Sequence, residues 1–360
     1  MRKKFLATAL SVMMVATVLS GCGADDGSKE SDTSKTTNND NSGGSSDDLI
    51  TVGFSQVGAE SDWRTANSQS MKSTFSEENG YKLIFDDAQQ KQENQISAIR
   101  NFIQQEVDYI VLAPAIETGW DTVLQEAKDA DIPVIIVDRE VEVSSEDLYT
   151  AWVGSNFMLE GQKACEWLKA YADAKGIEEL NIVDIQGTIG ASAQIGRTKA
   201  LEEAVEANDN WNMLAQQTGE FTQAKGQEVM ESMLKQHKNI NVVYCENDNE
   251  AFGAIDAIEA DGKTVGPDGD ILVLSFDTTK AGITDTLDGK IILNTECNPL
   301  HGPRVEEIIK KLEAGETPDK KAYVEEGIFA YGSDVAKVTV DGTDYDVTEV
   351  TQEVIDARAY

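Results

Sequence analysis

Acids, amides and guanidinium groups in this 360-residue sequence gather directly after short β-branched runs. Ser61–Arg64 follow the run Ile50–Ser55, Asp138-Arg139 follow Val134–Val137, and Gln186-Gly187-Thr188 follow Asn181–Ile185. Asn247-Asp248 follow Val242–Tyr244, Asp277 follows Ile271–Ser275, and Glu296 follows Lys290–Leu293, with Asn298 two residues further on. A carboxylate accepts from two neighbouring hydroxyls, an arginine donates through a planar fork, and an asparagine does both. Trp63 and Phe221 offer ring faces able to cover the C–H side of a small saturated ring. The set suits a small neutral polyol. An anion site would show arginines without accompanying carboxylates.

Positioning these groups falls to an alternation of elements. Further apolar runs lie at Tyr81–Phe85 and Tyr109–Leu112, and amphipathic stretches separate the runs. Val134-Ile135-Ile136-Val137 is apolar on both faces, as a strand covered by helices on each side must be. In Gln92–Val107 the residues Ile96, Ile99, Phe102 and Ile103 fall on one helical face. Residues 109–138 and 242–277 repeat one order: strand, loop, helix, proline, strand, aspartate. This reads as an α/β fold of two doubly wound parallel-sheet lobes joined by a hinge. In open sheets of this kind ligands bind at the carboxyl ends of the strands, so facing lobes would bring the polar groups into one cleft.

Composition removes other classes. A net charge of −35 opposes nucleic-acid phosphates, so no nucleic-acid partner is expected. Two histidines and four cysteines in no ligand-like spacing predict neither a metal nor a cofactor. Cys165, Cys245 and Cys297 read as buried free thiols, and His237 and His301 are the only bases a cysteine nucleophile could use. Gly262-Lys263-Thr264 mimics the end of a phosphate loop, but the required glycine is Ala257. Asp341-Gly342 reads as a hairpin turn between short arms.

Arg2, Lys3 and Lys4 precede an apolar run from Phe5 to Leu19, too short to span a bilayer and shaped as an export signal. Leu19-Ser20-Gly21-Cys22 closes it and resembles a bacterial lipobox, which implies diacylglyceryl attachment at Cys22. Residues 23–48 carry no large apolar side chain and read as a flexible polar tether. The expected body lies at the outer face of a cell membrane.

Several stretches together resemble the type I periplasmic sugar-binding proteins of ABC importers, and within them the galactofuranose-binding members. They are TVGFSQVGAESDWR at 51–64, DDAQQKQENQISAIRNFIQQEVDYIVLAP at 86–114 and TGWDTVLQEAKDADIPV at 118–134. DR at 138–139, QGTIGASAQIGR at 186–197, GEFTQAKGQEVMES at 219–232 and END at 246–248 complete them. The resemblance implies that Trp63 stacks on a sugar and Arg64 donates to it. Asp138 and Arg139 would bind ring hydroxyls from the N-terminal lobe; Arg197, Phe221, Asn247 and Asp277 would close from the other. Glu296 and Asn298 are added as ligand-facing groups near the hinge. Lobe limits are expected at 49–154 plus 278–323 and at 155–277 plus 324–332, with 333–360 a separate tail.

The partners implied are a monosaccharide, an ABC permease with its ATPase subunit, and the membrane through the lipid; a monomer is expected. An enzyme finds no catalytic motif here, and a transcription regulator would need a DNA-binding headpiece where the export signal stands. A lipoprotein that presents sugar to a membrane sensor has the same sequence signature as an importer component.

Overall fold

The computed structural model describes residues 49–360; the export signal, Cys22 and the polar stretch to Asp48 lie outside the described residues. The strands are β1 (Ile50–Gln56), β2 (Tyr81–Asp87), β3 (Tyr109–Leu112), β4 (Val134–Val137), β5 (Ala151–Gly154), β6 (Leu180–Gln186), β7 (Trp211–Thr218) and β8 (Val242–Cys245). They continue as β9 (Leu272–Asp277), β10 (Leu293–Glu296), β11 (Lys321–Tyr323), β12 (Ile328–Ala330), β13 (Lys337–Val340), β14 (Thr343–Asp346) and β15 (Thr348–Glu349). The helices are α1 (Asp62–Thr74), α2 (Gln92–Gln104), α3 (Asp121–Asp129), α4 (Phe157–Lys175) and α5 (Ser192–Ala207). After them come α6 (Gln223–Gln236), α7 (Asp248–Ala260), α8 (Lys280–Leu287), α9 (Gly302–Glu313) and α10 (Gln352–Ala357).

Two sheets result. The first runs β11-β5-β4-β3-β1-β2 and is parallel throughout. The second runs β15-β12-β10-β9-β8-β6-β7, parallel except where β12 meets β10. The central strands feed apolar side chains to both faces with a period of two. Ile135 and Val137 of β4 join one core with Val52, Phe54 and Val111, while Val134 and Ile136 join another with Ile110, Leu112 and Trp152. In β8, Val242 and Tyr244 face one core, Val243 and Cys245 the opposite one. Full burial of each such side chain stabilises by about 1.5–3 kcal/mol, which is why these runs carry no polar residue.

The chain crosses between lobes at 155–156, at 297–301 and at 324–327. Glu326 ties the crossings together: its Oε1 accepts from Ser155 Oγ at 2.6 Å and from the Asn298 amide at 2.7 Å.

Three expectations are corrected. Residues 278–296 belong to the second lobe, because β10 pairs with β9 and α8 packs on α7. The run at Lys290–Leu293 becomes strand only from Leu293, because the amides of Lys290 and Ile291 both turn back to the Asp285 carbonyl after α8. Residues 333–360 are no separate tail: β13 and β14 form a hairpin, β15 pairs with β12, and Val335 and Val338 enter a core of the second lobe. The hairpin turns at Asp341-Gly342 with φ of 49° and 79°, as the sequence predicts.

Candidate functional site

Between the sheets, at the carboxyl ends of their strands, lies a small cleft whose non-atom space, open solvent included, is about 290 Å³. Its walls come from the loop after β1, the ends of β4 and β9, the first turns of α4, α5 and α7, and Cys297 after β10. Trp63, Phe157, Ala191, Ala193, Phe221 and Cys297 form an apolar cluster here, apart from the lobe cores.

Charges of both signs meet in it. On the first lobe, Ser61 caps α1 through the Arg64 amide and so fixes where the Arg64 side chain starts. Arg64 then donates from Nε to Glu60 Oε1 at 3.0 Å, and its Nη2 lies 2.8 Å from Asp138 Oδ2. Although burial opposes its charge, the Asp138 and Glu60 carboxylates hold this guanidinium above its ordinary pKa. Arg139 is poorer in partners: Nη1 donates to the Ala115 carbonyl at 2.8 Å, and the nearest carboxylate oxygen is 4.0 Å away. Burial first, and Arg64 next, bring its pKa down to about 10.

On the second lobe, Arg197 donates from Nε to Glu160 Oε2 at 2.8 Å and from Nη1 to the Glu246 carbonyl at 2.5 Å, with Asp277 Oδ1 3.7 Å from Nη2. Asp277 makes no hydrogen bond through its carboxylate among the described residues; burial raises its pKa well above the ordinary value, against the pull of Arg197. Glu60 Oε2 is buried without a hydrogen-bond partner, and Asp138 Oδ2 and Arg197 Nη2 have ion-pair neighbours but no aligned hydrogen bond. Such unmet capacity is costly unless a bound group satisfies it. Asp138, Phe221 and Asp277 hold φ of 65°, 60° and 98°, a conformation sparse for non-glycine residues and concentrated at functional sites.

Three hydrogen bonds from main-chain amides join the lobes over the cavity. The Asp62 amide donates to Asn249 Oδ1 at 2.9 Å, the Glu117 amide to the Gly190 carbonyl at 2.9 Å, and the Glu140 amide to Ser192 Oγ at 2.9 Å. The lobes are therefore closed.

A family model described as a periplasmic binding protein domain matches residues 52–293. The chain belongs to the periplasmic binding protein family. This binding protein is 42% identical over 275 residues to the galactofuranose-binding protein YtfQ of Escherichia coli (strain K12), covering 75% of this chain and 85% of that one. A solved structure from Mycobacterium smegmatis in complex with β-D-fucofuranose is 45% identical, with TM-score 0.74, covering 78% of this chain and 91% of that one. The binding component of the arabinose ABC transporter from Shewanella sp. ANA-3, bound to α- and β-L-arabinofuranose, is 41% identical, with TM-score 0.72 and coverages of 78% and 91%.

The binding protein brings Trp63, Arg64, Asp138, Arg139, Arg197, Phe221, Asn247 and Asp277 into the one cavity lining. Two expected residues fall outside it. Glu296 turns away, accepting from the Gly327 amide at 2.8 Å and pairing with Arg358 at 2.9 Å. Asn298 accepts from the Leu300 amide at 2.9 Å and shapes the crossing segment. The residue between them, Cys297, faces the cavity. Glu60 and Phe157 also line it and were not singled out; Glu60 immediately precedes the α1 cap and Phe157 opens α4 after the first crossing, positions where strand-end polarity gives no signal. Neither Asp138 nor Asp277 caps a helix. Asn247 does, accepting from the Glu250 amide at 2.8 Å while its Nδ2 donates to the Phe221 carbonyl at 3.1 Å. Trp63 is fixed by its Nε1, which donates to the Cys297 carbonyl at 2.6 Å, and Arg64 lies over its ring 4.6 Å from the centroid.

Gly187 sets the position of Phe221 in this binding protein. A Cβ there would lie 1.9 Å from Phe221 Cζ. Gly187→Ala is expected to displace the ring and lower stability by about 1–3 kcal/mol, read from the urea midpoint.

Behind the cavity, the Glu160 and Glu326 carboxyls and the Cys297 thiol lie within 4.8 Å of one another. Burial raises the pKa of both carboxyls above the ordinary value, against the pull of Arg197 on Glu160. A divalent cation does not fit, since Arg197 and the Lys163 ammonium already face this group. The unfolded chain releases the Glu326 proton near pH 4.5, whereas the native state retains it to higher pH. Its contribution to stability therefore falls as pH rises through that window, by about 1.4 kcal/mol per unit. Glu326→Gln mimics the protonated form and removes this slope, which urea unfolding at several pH values checks.

Proposed function

We propose that this chain captures a monosaccharide in its furanose form, galactofuranose- or galactose-like, between its lobes and delivers it to an ABC permease energised by a separate ATPase subunit. One observation carries the reading: the cavity lining holds three guanidinium groups (Arg64, Arg139, Arg197) and three carboxylates (Glu60, Asp138, Asp277) beside three aromatic side chains (Trp63, Phe157, Phe221). A balanced set of fixed donors and acceptors matches a neutral ring with many hydroxyls, and Trp63 or Phe221 can cover its C–H face. Relatives whose names or bound molecules are galactofuranose, fucofuranose and arabinofuranose support the furanose form.

Sugar contacting both walls favours the closed arrangement by its differential affinity, which is all a ligand needs to drive closure. No helix among the described residues is long and apolar enough to cross a membrane. Attachment at the outer face is assigned to a diacylglyceryl group on Cys22; labelled palmitate should enter the wild-type protein and not Cys22→Ala.

The test is a thermal-shift panel of D-galactose, D-fucose, L-arabinose, D-fructose and D-ribose, followed by titration with tryptophan fluorescence. A sugar at a hundred times its Kd should stabilise the fold by about 2.7 kcal/mol. Trp63→Ala should weaken binding by about 1 kcal/mol or more. A panel with no shift sinks the sugar reading; full affinity in Trp63→Ala removes the stacking role.

A further inference from the structure

The C-terminal segment reaches back to the floor of the cavity. Asp277, whose carboxylate lines it, is followed by Thr278, and the two have φ of 98° and 55°. Consecutive left-handed residues are rare, and a β-branched residue there is a genuine outlier. Such a conformation persists only where its surroundings over-determine it. Here they do. The Thr278 amide donates to Asn294 Oδ1 at 3.0 Å. Its carbonyl accepts from Arg358 Nε at 3.0 Å, and its hydroxyl accepts from Arg358 Nη2.

Arg358 is itself locked. Its Nη1 lies 2.9 Å from Glu296 Oε1, its Nη2 donates to the Tyr360 hydroxyl at 2.9 Å, and its plane covers the Phe329 ring at 4.9 Å. The Tyr360 hydroxyl donates to the same Glu296 oxygen at 2.7 Å. Ile355 of α10 packs with Ile283 and Val350, so the end of the chain is anchored by apolar contact as well. The matched family domain stops at residue 293, well before these residues.

We infer that Arg358 is a positioning residue for the cavity carboxylate: its fork holds the strained Thr278 turn, and that turn aims Asp277 at the ligand. The inference rests on the sugar reading for Asp277, and it gives the tail and Glu296 a role in affinity without contact.

The test uses the full chain as wild type, Arg358→Ala, Tyr360→Phe, Asp277→Ala and the Asp277→Ala/Arg358→Ala double variant. Hydrogen exchange over 272–280, without sugar, reads the turn alone; Arg358→Ala should speed exchange of the Thr278 and Thr279 amides at least tenfold, and Tyr360→Phe less so. Calorimetric titration with D-galactose and L-arabinose should show affinity falling roughly tenfold in Arg358→Ala, the scale on which a residue acting through a ligand group is felt. In the Asp277→Ala background the same change should cost nothing further, which a merely structural role would not produce. Unchanged exchange at Thr278 and Thr279, or a loss that adds fully in the double variant, overturns the inference. If neither sugar binds the wild type, the sugar reading fails while the exchange result still decides whether Arg358 holds the turn.

Discussion

Arg197→Ala is expected to lower folding stability by about 3–5 kcal/mol, because it strands buried carboxylates. Arg197 and Glu160 are 2% and 1% exposed, so water cannot replace the lost partner. Asp277 loses its nearest cation as well. The stranded Glu160 and Asp277 must take up protons to be tolerated, so the penalty is largest near pH 8 and shrinks toward pH 5. Adding Glu160→Gln to the variant removes one of the stranded charges and should restore part of the loss, the coupling expected of a contacting pair. Urea unfolding of the single and double variants at both pH values checks this; a pH-independent loss contradicts it.

Arg139→Ala is expected to do the reverse, sparing the fold and damaging binding. Its guanidinium has one firm bond, to the Ala115 carbonyl, and its closest carboxylate oxygen is 4.0 Å away. Nothing charged is stranded by its removal, since Asp138 keeps Arg64 at 2.8 Å. A sugar bound beside it would lose a donor in a closed site, at about 2–5 kcal/mol of binding free energy. Calorimetric titration alongside thermal unfolding separates the effects. A Tm drop equal to that of Arg197→Ala, with affinity intact, would show that Arg139 serves the fold.

Much of this site was legible because parallel strands end where ligands bind. Asp138-Arg139 and Asp277 were readable as polar residues closing apolar runs, and the two-lobed order followed from strand–helix alternation. What escaped has identifiable causes. At the end of β10 the pleat sends Glu296 away from the cavity and Cys297 into it, and a one-residue difference in register inverts that choice. The strand start was misplaced there because Ile291 and Ile292 are as apolar as Leu293, while the turn that precedes them is set by main-chain bonds to Asp285. The tail was set apart although Val335 and Val338 are core residues; three or four apolar positions in a polar stretch carry no address. The Arg197–Glu160 pair spans two helices, and no spacing rule links them.

The interleaved lobe limits set the order in which the molecule can finish folding. The chain leaves the first lobe after Gly154 and returns with α9, only after the second lobe's principal strands are complete. Val305, Ile308 and Ile309 of α9 supply one side of a first-lobe core, and β11 covers the edge of β5. On a chain emerging from its N-terminus, that core stays open and an unpaired strand edge stays exposed until residue 323 is free. Early-arriving sequence thus waits on late-arriving sequence to become watertight, and a nascent or truncated form ending near 300 would offer a sticky apolar face to its neighbours.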